Sequence, residues 1–516
     1  MSEDTSVAPE LKASIEPPEA MASVPGTWTI TLSGLEVPEG GVVRVLLSGS
    51  RGNPSDWTRP QASEPAAREY VTAACTGDAS LTISIPPPEQ TRGAMVDLTI
   101  TDAPLSAGDE ITVVLGDTRE GGGGSTPQTF SQPAKVVEIH VAEPSEPGEP
   151  LAFRRIGETT LDVTGGPMDR IRVLAPASVP AGHEFSIALK AEDVEGNVAS
   201  MYQGDFEITI SDTEICTGPE TVHFEGPGGV LTVEGFKAFS RGQVRIVATD
   251  DISDVKYVSN PILITKHDQA QLYFGVIHGH TKRSDGLGTV EDYYSCMRDD
   301  NRLDFGAVGD HDHSYETTDA DWEVIAEVTA ADNDPGNFVT LLGYEWAKWR
   351  RNGDGDRNVY YDCDREPMYR SGDEDYPSPP DLFEALHNCG CRSIVIPHHP
   401  ASNGNHCDYS DHDPEIERLV EIYSSWGSSE CSVHDGNPYP IRPSGSPSGS
   451  AMEVPMDAGE VPVGFVQHAL EMGRRLGFTG GGDDHLGHPG DPVRTGCEPF
   501  RYRDGLQGVW ATELTR

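Results

Sequence analysis

Six short stretches of this chain carry residues that can hold a metal ion, and most follow an apolar run. "LYFGVIHGH" delivers His278 and His280, with Asp285 five residues further on. "GDHDH" supplies Asp310, His311, Asp312 and His313, and "GYEW" supplies Glu345. "PHHP" carries His398 and His399, "LVEIYSSWG" carries Glu421, and "GGDDHLGH" carries Asp483, Asp484, His485 and His488. Imidazole and carboxylate groups suit borderline divalent cations such as Zn, Mn or Fe(II). Histidines two apart on a strand point the same way, roughly 7 Å apart at the backbone, so they can close on one ion or bridge two. A single His-x-His is common in a chain with 17 His. Five such motifs in order, each after an apolar run, are not a chance pattern.

The elements that must position these residues are legible as patterns. From residue 268 onward, apolar runs alternate with helical stretches, which predicts β/α units. "TVEDYYSCMRDDN" opens at Thr289 with an acid three residues later, the sign of a capping box. "PPDLFEALHNCG" puts Pro in a first turn and Gly390 as a stop, and "VGFVQHALEMGRRLG" reads as a helix stopped at Gly477. If the strands form an α/β barrel, all the ligand-bearing ends meet on one face. Upstream the grammar is different. Residues 1–25 read as disordered, 26–142 as a β-sandwich, 143–150 ("EPSEPGEP") as a linker and 151–267 as an immunoglobulin-like sandwich.

The ligand order resembles the PHP superfamily (polymerase and histidinol phosphatase) across Gln271 to Arg516, in a branch that includes carbamate hydrolases. The resemblance implies a multidomain chain: two all-β sandwiches followed by a distorted (β/α)7 barrel holding two or three divalent metal ions. It implies metal ligation by His278, His280, Asp285, His311, Glu345, His398, Asp483 and His485, with Glu345 bridging. One family ligand position has no match near "VEIYSSWG", where Glu421 is the nearest candidate, and Asp356 stands where relatives are expected to have His. His399 and His488 are candidates for protonating a leaving group, and Arg357 for contacting an anion. Family members continue past "ATELTR", so the end of the chain is expected to be truncated.

The activity expected is hydrolysis of a carboxylic ester, carbamate or phosphoester in a small molecule by metal-activated water. The alternatives are a phosphoesterase for small phosphate esters and a binding protein with a degenerate centre. The formal net charge of −47, from 84 acidic against 37 basic residues, argues against nucleic acid and anionic membranes as partners. The first residues, "MSEDTSVAPELK", lack the basic and apolar parts of a signal peptide, and nine scattered Cys read as reduced thiols. A cytoplasmic protein is the expectation. Asp435 to Pro462, rich in Pro, Gly and Ser, is expected to be a loop covering the metals.

Overall fold

The computed structural model describes residues 11–48, 56–87, 93–144, 149–225, 228–266, 269–348, 352–441, 459–490 and 502–516. Most of the expected covering loop (442–458) lies outside them, as do residues 1–10 and 145–148.

The chain divides near Gly166. The first unit is a β-sandwich of a four-stranded and a six-stranded sheet. Strands such as Trp28–Ser33 alternate buried and half-buried residues, and their inward side chains (Ile30, Val45, Leu98, Val113) form one apolar core. Its borders differ from those expected. Lys12–Glu16 pairs antiparallel with Trp28–Ser33, so residues 12–16 are strand and not disordered. Arg154–Thr164 pairs with Gln132–Ala142, which places it in the first sandwich and not the second. The alternating "ETTLDV" supplies the apolar face that makes this pairing favourable.

The second unit begins with another sandwich, three small sheets around Ile187, Leu189, Phe206, Phe236 and Ile246. Immunoglobulin-like β-sandwich character therefore describes this part of the chain. Lys190 in the strand Glu184–Glu192 is fully buried, and a buried ammonium must be paired. It donates to Asn301 Oδ1 at 2.9 Å and lies 3.5 Å from Glu192. Asn301 in turn donates through Nδ2 to Pro489 O at 2.9 Å. Ser178 Oγ accepts from Leu272 N at 2.7 Å. The sandwich is thus hydrogen-bonded to the strand before His278 and, through Asn301, linked to the loop after His485.

The expected (β/α)7 barrel is not present. The ligand-bearing part holds three separate small sheets of mixed direction. Gln271–Val276, Phe305–Gly306 and Val339–Thr340 run parallel, but Gln507–Ala511 joins them antiparallel. Leu342–Trp346, Arg357–Tyr361 and Ser393–Pro397 form an antiparallel meander. Leu419–Ser424 pairs with Gly477–Gly480 in parallel and with Gly427–Ser428 antiparallel. The helices are too few and short to cover a barrel: among the described residues the α-helices are Val290–Ser295, Asp319–Ala331, Pro379–Asn388 and Val466–Glu471. Leu342–Trp346 and Arg357–Tyr361 follow one another without a helix, and Arg357–Tyr361 pairs antiparallel with Ser393–Pro397 although the helix Pro379–Asn388 lies between them, which breaks the β/α repeat.

Several local signals hold. Thr289 and Asp292 form the expected capping box, and Thr318 and Asp321 form a second. The helix from Val466 stops earlier than expected, because Gly473 adopts φ +82 and its N–H bonds Leu470 O; Gly477 instead starts a strand. Cys363 and Cys391 form a disulfide, so the expectation of reduced thiols fails for this pair. Among the described residues, no helix is long and apolar enough to cross a membrane.

Asp304 fastens the first of these strands: its Oδ2 accepts from Phe274 N at 2.7 Å, and its own N–H donates to Phe274 O. Burial pushes its carboxyl up to about 6. Because the folded value lies above the unfolded one, stability is lost as pH rises from about 4 to about 6. Asp304→Asn keeps an acceptor but cannot ionise. It should therefore be more stable than the parent at pH 7 by about 1–3 kcal/mol, with the gain gone near pH 4. Denaturant unfolding at both pH values checks this.

Candidate metal centre

The strand ends converge through backbone pairing before any side chain is considered. Asp483 N donates to His278 O, His280 N to Asp484 O, Gly309 N to Gly279 O, and Asp312 N to Glu345 O, all at 2.7–2.9 Å. Gly279 is required between its two histidines: a Cβ there would sit 1.6 Å from Tyr293 Oη. Gly481 is likewise required, since a Cβ would lie 2.0 Å from Glu421 Oε2. Asp310 is not aimed at the cluster. Its carboxylate accepts from Thr281 N, Ser284 N, Thr281 Oγ1 and Ser284 Oγ, and so shapes the turn that presents Asp285.

All eight expected ligands come together. Glu345, only 2% exposed, is the hub. Its Oε2 lies 3.5 Å from His278 Nε2, 3.3 Å from His280 Nε2 and 3.6 Å from His311 Nε2. Its Oε1 lies 2.9 Å from His398 Nε2. Asp483 Oδ1 is 3.4 Å from His278 Nε2 and 3.1 Å from His280 Nε2. Asp285 Oδ1 is 3.3 Å from His485 Nε2. Most of these separations are long for hydrogen bonds. They match the roughly 3.0–3.4 Å expected between two ligands each bonded to one ion at 2.0–2.2 Å.

The opposite ring nitrogens give a second test. His278 Nδ1 is 3.0 Å from Glu421 Oε2, His311 Nδ1 is 3.0 Å from Glu316 Oε2, His485 Nδ1 is 3.0 Å from Asp483 O, and His280 Nδ1 is 3.3 Å from Ser284 Oγ. These four Nδ1 atoms are thus held by the protein while their Nε2 atoms face carboxylate oxygen. That is how metal-ligating histidines are oriented. His398 Nδ1 has no hydrogen-bond partner. The buried His278 Nε2 and Asp285 Oδ1 have no hydrogen-bond partner. Such a donor set fits a divalent cation. Triads with mutually close donor atoms include His278–His280–Glu345, His278–His398–Asp483 and His280–Asp285–His485.

The electrostatics agree. Burial opposes charge on His280, His311 and His485, but the surrounding carboxylates outweigh it and raise each to about 9. Burial also opposes ionisation of Glu345, yet the imidazoles of His398 and His311 hold it well below the usual carboxylate range. A cation entering this cluster takes the place of protons.

All eight expected ligands but His278 line a cavity of about 380 Å³, walled further by His399, Ser402, Gly404, Asn405 and Trp426. His399 sits at φ +24 and Asp483 at φ +51, backbone that non-glycine residues rarely adopt. Burial and the adjacent His398 lower the His399 imidazole. Asn405 Nδ2 lies 2.6 Å from His399 Nε2 and also donates to Asp356, at 2.5 Å. Asp356 therefore occupies the second rank behind His399, buried and raised by desolvation and by Glu345.

Two expected participants are elsewhere. Arg357 is buried, but its guanidinium donates to Asp354 O and Gly355 O and lies 3.8 Å from Glu417. It lines no part of the cavity, because alternation along its strand turns it to the face opposite Glu345's partner Asn358. His488 also lies outside the lining; its backbone N–H is drawn to Asp484 Oδ2 at 2.8 Å, which closes the 484–488 turn. The sequence reading missed Glu316, Ser284, Asn405 and Trp426. Only Glu316 left a signal, five residues after His311 in "HDHSYE".

Comparison with known proteins gives the following. The family described as "Protein of unknown function (DUF3604)" matches residues 289–435. An uncharacterised protein of Chlamydia pneumoniae is 25% identical over 512 residues, covering 97% of this chain and 78% of its own. One from Chlamydia trachomatis serovar D is 26% identical over 479 residues, covering 91% and 73%. Among solved structures, the C-terminal domain of the Streptococcus agalactiae AgI/II polypeptide BspA aligns over 49% of this chain at 10% identity, with a TM-score of 0.20. The family match spans His311, Glu345, His398 and Glu421 but neither His278, His280 and Asp285 nor Asp483 and His485.

Glu421 lies outside the cavity lining and acts only through His278 Nδ1. Glu421→Gln should therefore lower divalent-metal affinity by about 10–100-fold while the thermal transition of the metal-stripped protein moves little. Competitive chelator titration and calorimetry check the two halves.

Proposed function

We propose that this chain is a metal-dependent hydrolase that cleaves an ester-type bond, carboxylic ester, carbamate or phosphoester, in a small molecule. The observation that carries the reading is Glu345: one buried carboxylate with both oxygens facing four imidazole nitrogens at 2.9–3.6 Å. A carboxylate so placed suits bridging two cations. On this reading two or three divalent ions, Zn, Mn or Fe(II), would be held by His278, His280, Asp285, His311, Glu345, His398, Asp483 and His485. The ligand order resembles that of the PHP superfamily, carried here on mixed sheets.

When bound, such ions lower the pKa of water and polarise the scissile group. The chain's own residues do the rest. Glu421, Glu316 and Ser284 orient the imidazoles. Trp426 walls the cavity about His399 and His485, with ring centroids 6.1 and 6.3 Å away, limiting water and flanking the substrate. His399 lies on the cavity wall with Nδ1 3.5 Å from Asp483 Oδ2, where a proton can be passed to a departing oxygen or nitrogen.

The test is a panel of aryl esters, aryl carbamates and phosphomonoesters with metal-replete protein. Glu345→Gln is expected to cut turnover by about a thousandfold, the effect of several kcal/mol, and chelation to abolish it. Turnover that persists after metal removal would refute the reading. Native protein without bound metal would favour a non-catalytic binding module.

A further inference from the structure

Beneath the cavity, on the strand Arg357–Tyr361, one polar side chain has no role in the reading above. Asn358 is 1% exposed, and neither Oδ1 nor Nδ2 has a hydrogen-bond partner. Native interiors satisfy nearly all such groups. The layer below it is apolar. Asn358 stands opposite Ile396 in the register and shares a strand face with Tyr360. Both neighbours pack with Ile277, Phe305, Ala307 and Val339. A leucine would suit that environment better than an amide.

The layer above it is the ligand cluster. Asn358 is the cross-strand partner of Glu345, so the two side chains share a face. Its Oδ1 and His278 Cδ2 each come within 3.2 Å of the point where a Cβ on Gly309 would sit. The absence of a side chain at Gly309 leaves a space that both the amide and the imidazole border. Cδ2 is bonded to Nε2, the ring atom of His278 that faces Glu345 and Asp483 and is itself without a hydrogen-bond partner. Two unpartnered polar side chains thus border one space at a corner of the cluster.

We propose that Asn358 is a further member of the cation site, its Oδ1 contacting the divalent ion, or water bound to that ion, at the corner made by His278, Glu345 and Asp483. The assignment rests on the reading that a divalent ion is held there. It adds a neutral oxygen donor, which raises coordination without adding to the three carboxylates already gathered as candidate ligands (Asp285, Glu345 and Asp483).

Asn358→Leu removes both polar atoms at similar volume and tests this directly. Mn(II) and Zn(II) are titrated separately into chelator-stripped parent and variant, and the thermal transition of each is measured with and without metal. The expected result is an affinity about 10–100-fold weaker and a smaller metal-induced rise in Tm, with the metal-free variant at least as stable as the parent. Asn358→Asp, which keeps an oxygen donor, should retain most of the affinity and covers the case in which the leucine variant does not fold. Parent-like affinity in Asn358→Leu, or equal losses in both variants, overturns the assignment and leaves the hydrolase reading standing. If the parent itself takes up neither ion, both fall together.

Discussion

The centre of this molecule is a buried carboxylate that cannot be left alone. Glu345 is 2% exposed, and an isolated ionised carboxyl at such a position is prohibitively costly. It is tolerated because imidazoles of His278, His280, His311 and His398 surround both oxygens. The other ring nitrogens of His278, His311 and His280 are held in turn by Glu421, Glu316 and Ser284. Removing any one member leaves a buried charge or ring nitrogen unpaired. The polar cluster is therefore coupled, and its parts behave as a unit.

The β-structure around the cluster serves that coupling. Backbone bridges fix Gly279 beside Asp484 and His311 beside Glu345, so the ligands are held by main-chain geometry and not by loop conformation alone. Ile277, Ala307, Tyr360 and Ile396 pack in one apolar group. Larger aromatic side chains, Tyr293, Trp322, Tyr344 and Trp346, pack in another. The second sandwich takes part as well. Its buried Lys190 fixes the orientation of the Asn301 amide: an ammonium requires the carbonyl oxygen, which turns the NH2 toward Pro489 O. A domain that reads as an appended module is thereby tied to the loop bearing Asp483 and His485.

What the sequence by itself determined is which histidines and acids gather in one place. Histidine and acid side chains after apolar runs report strand ends, and strand ends in one chain segment tend to share a face. His278, His280, Asp285, His311, Glu345, His398, Asp483 and His485 were legible for that reason. So were the alternating strands of both sandwiches and the capping box at Thr289. Tertiary structure alone decided the rest. Sheet direction depends on which strands meet, and the meander of Leu342–Trp346, Arg357–Tyr361 and Ser393–Pro397 is antiparallel where alternating patterns suggested parallel pairing. The fate of Arg357 was set by the side of its strand that faces Glu417, and the roles of Glu316, Glu421 and Asn358 by contacts across 5 to 143 residues and across the strand pair with Glu345. Local pattern encodes which groups can ligate; only packing in three dimensions decides which groups hold the ligands in place.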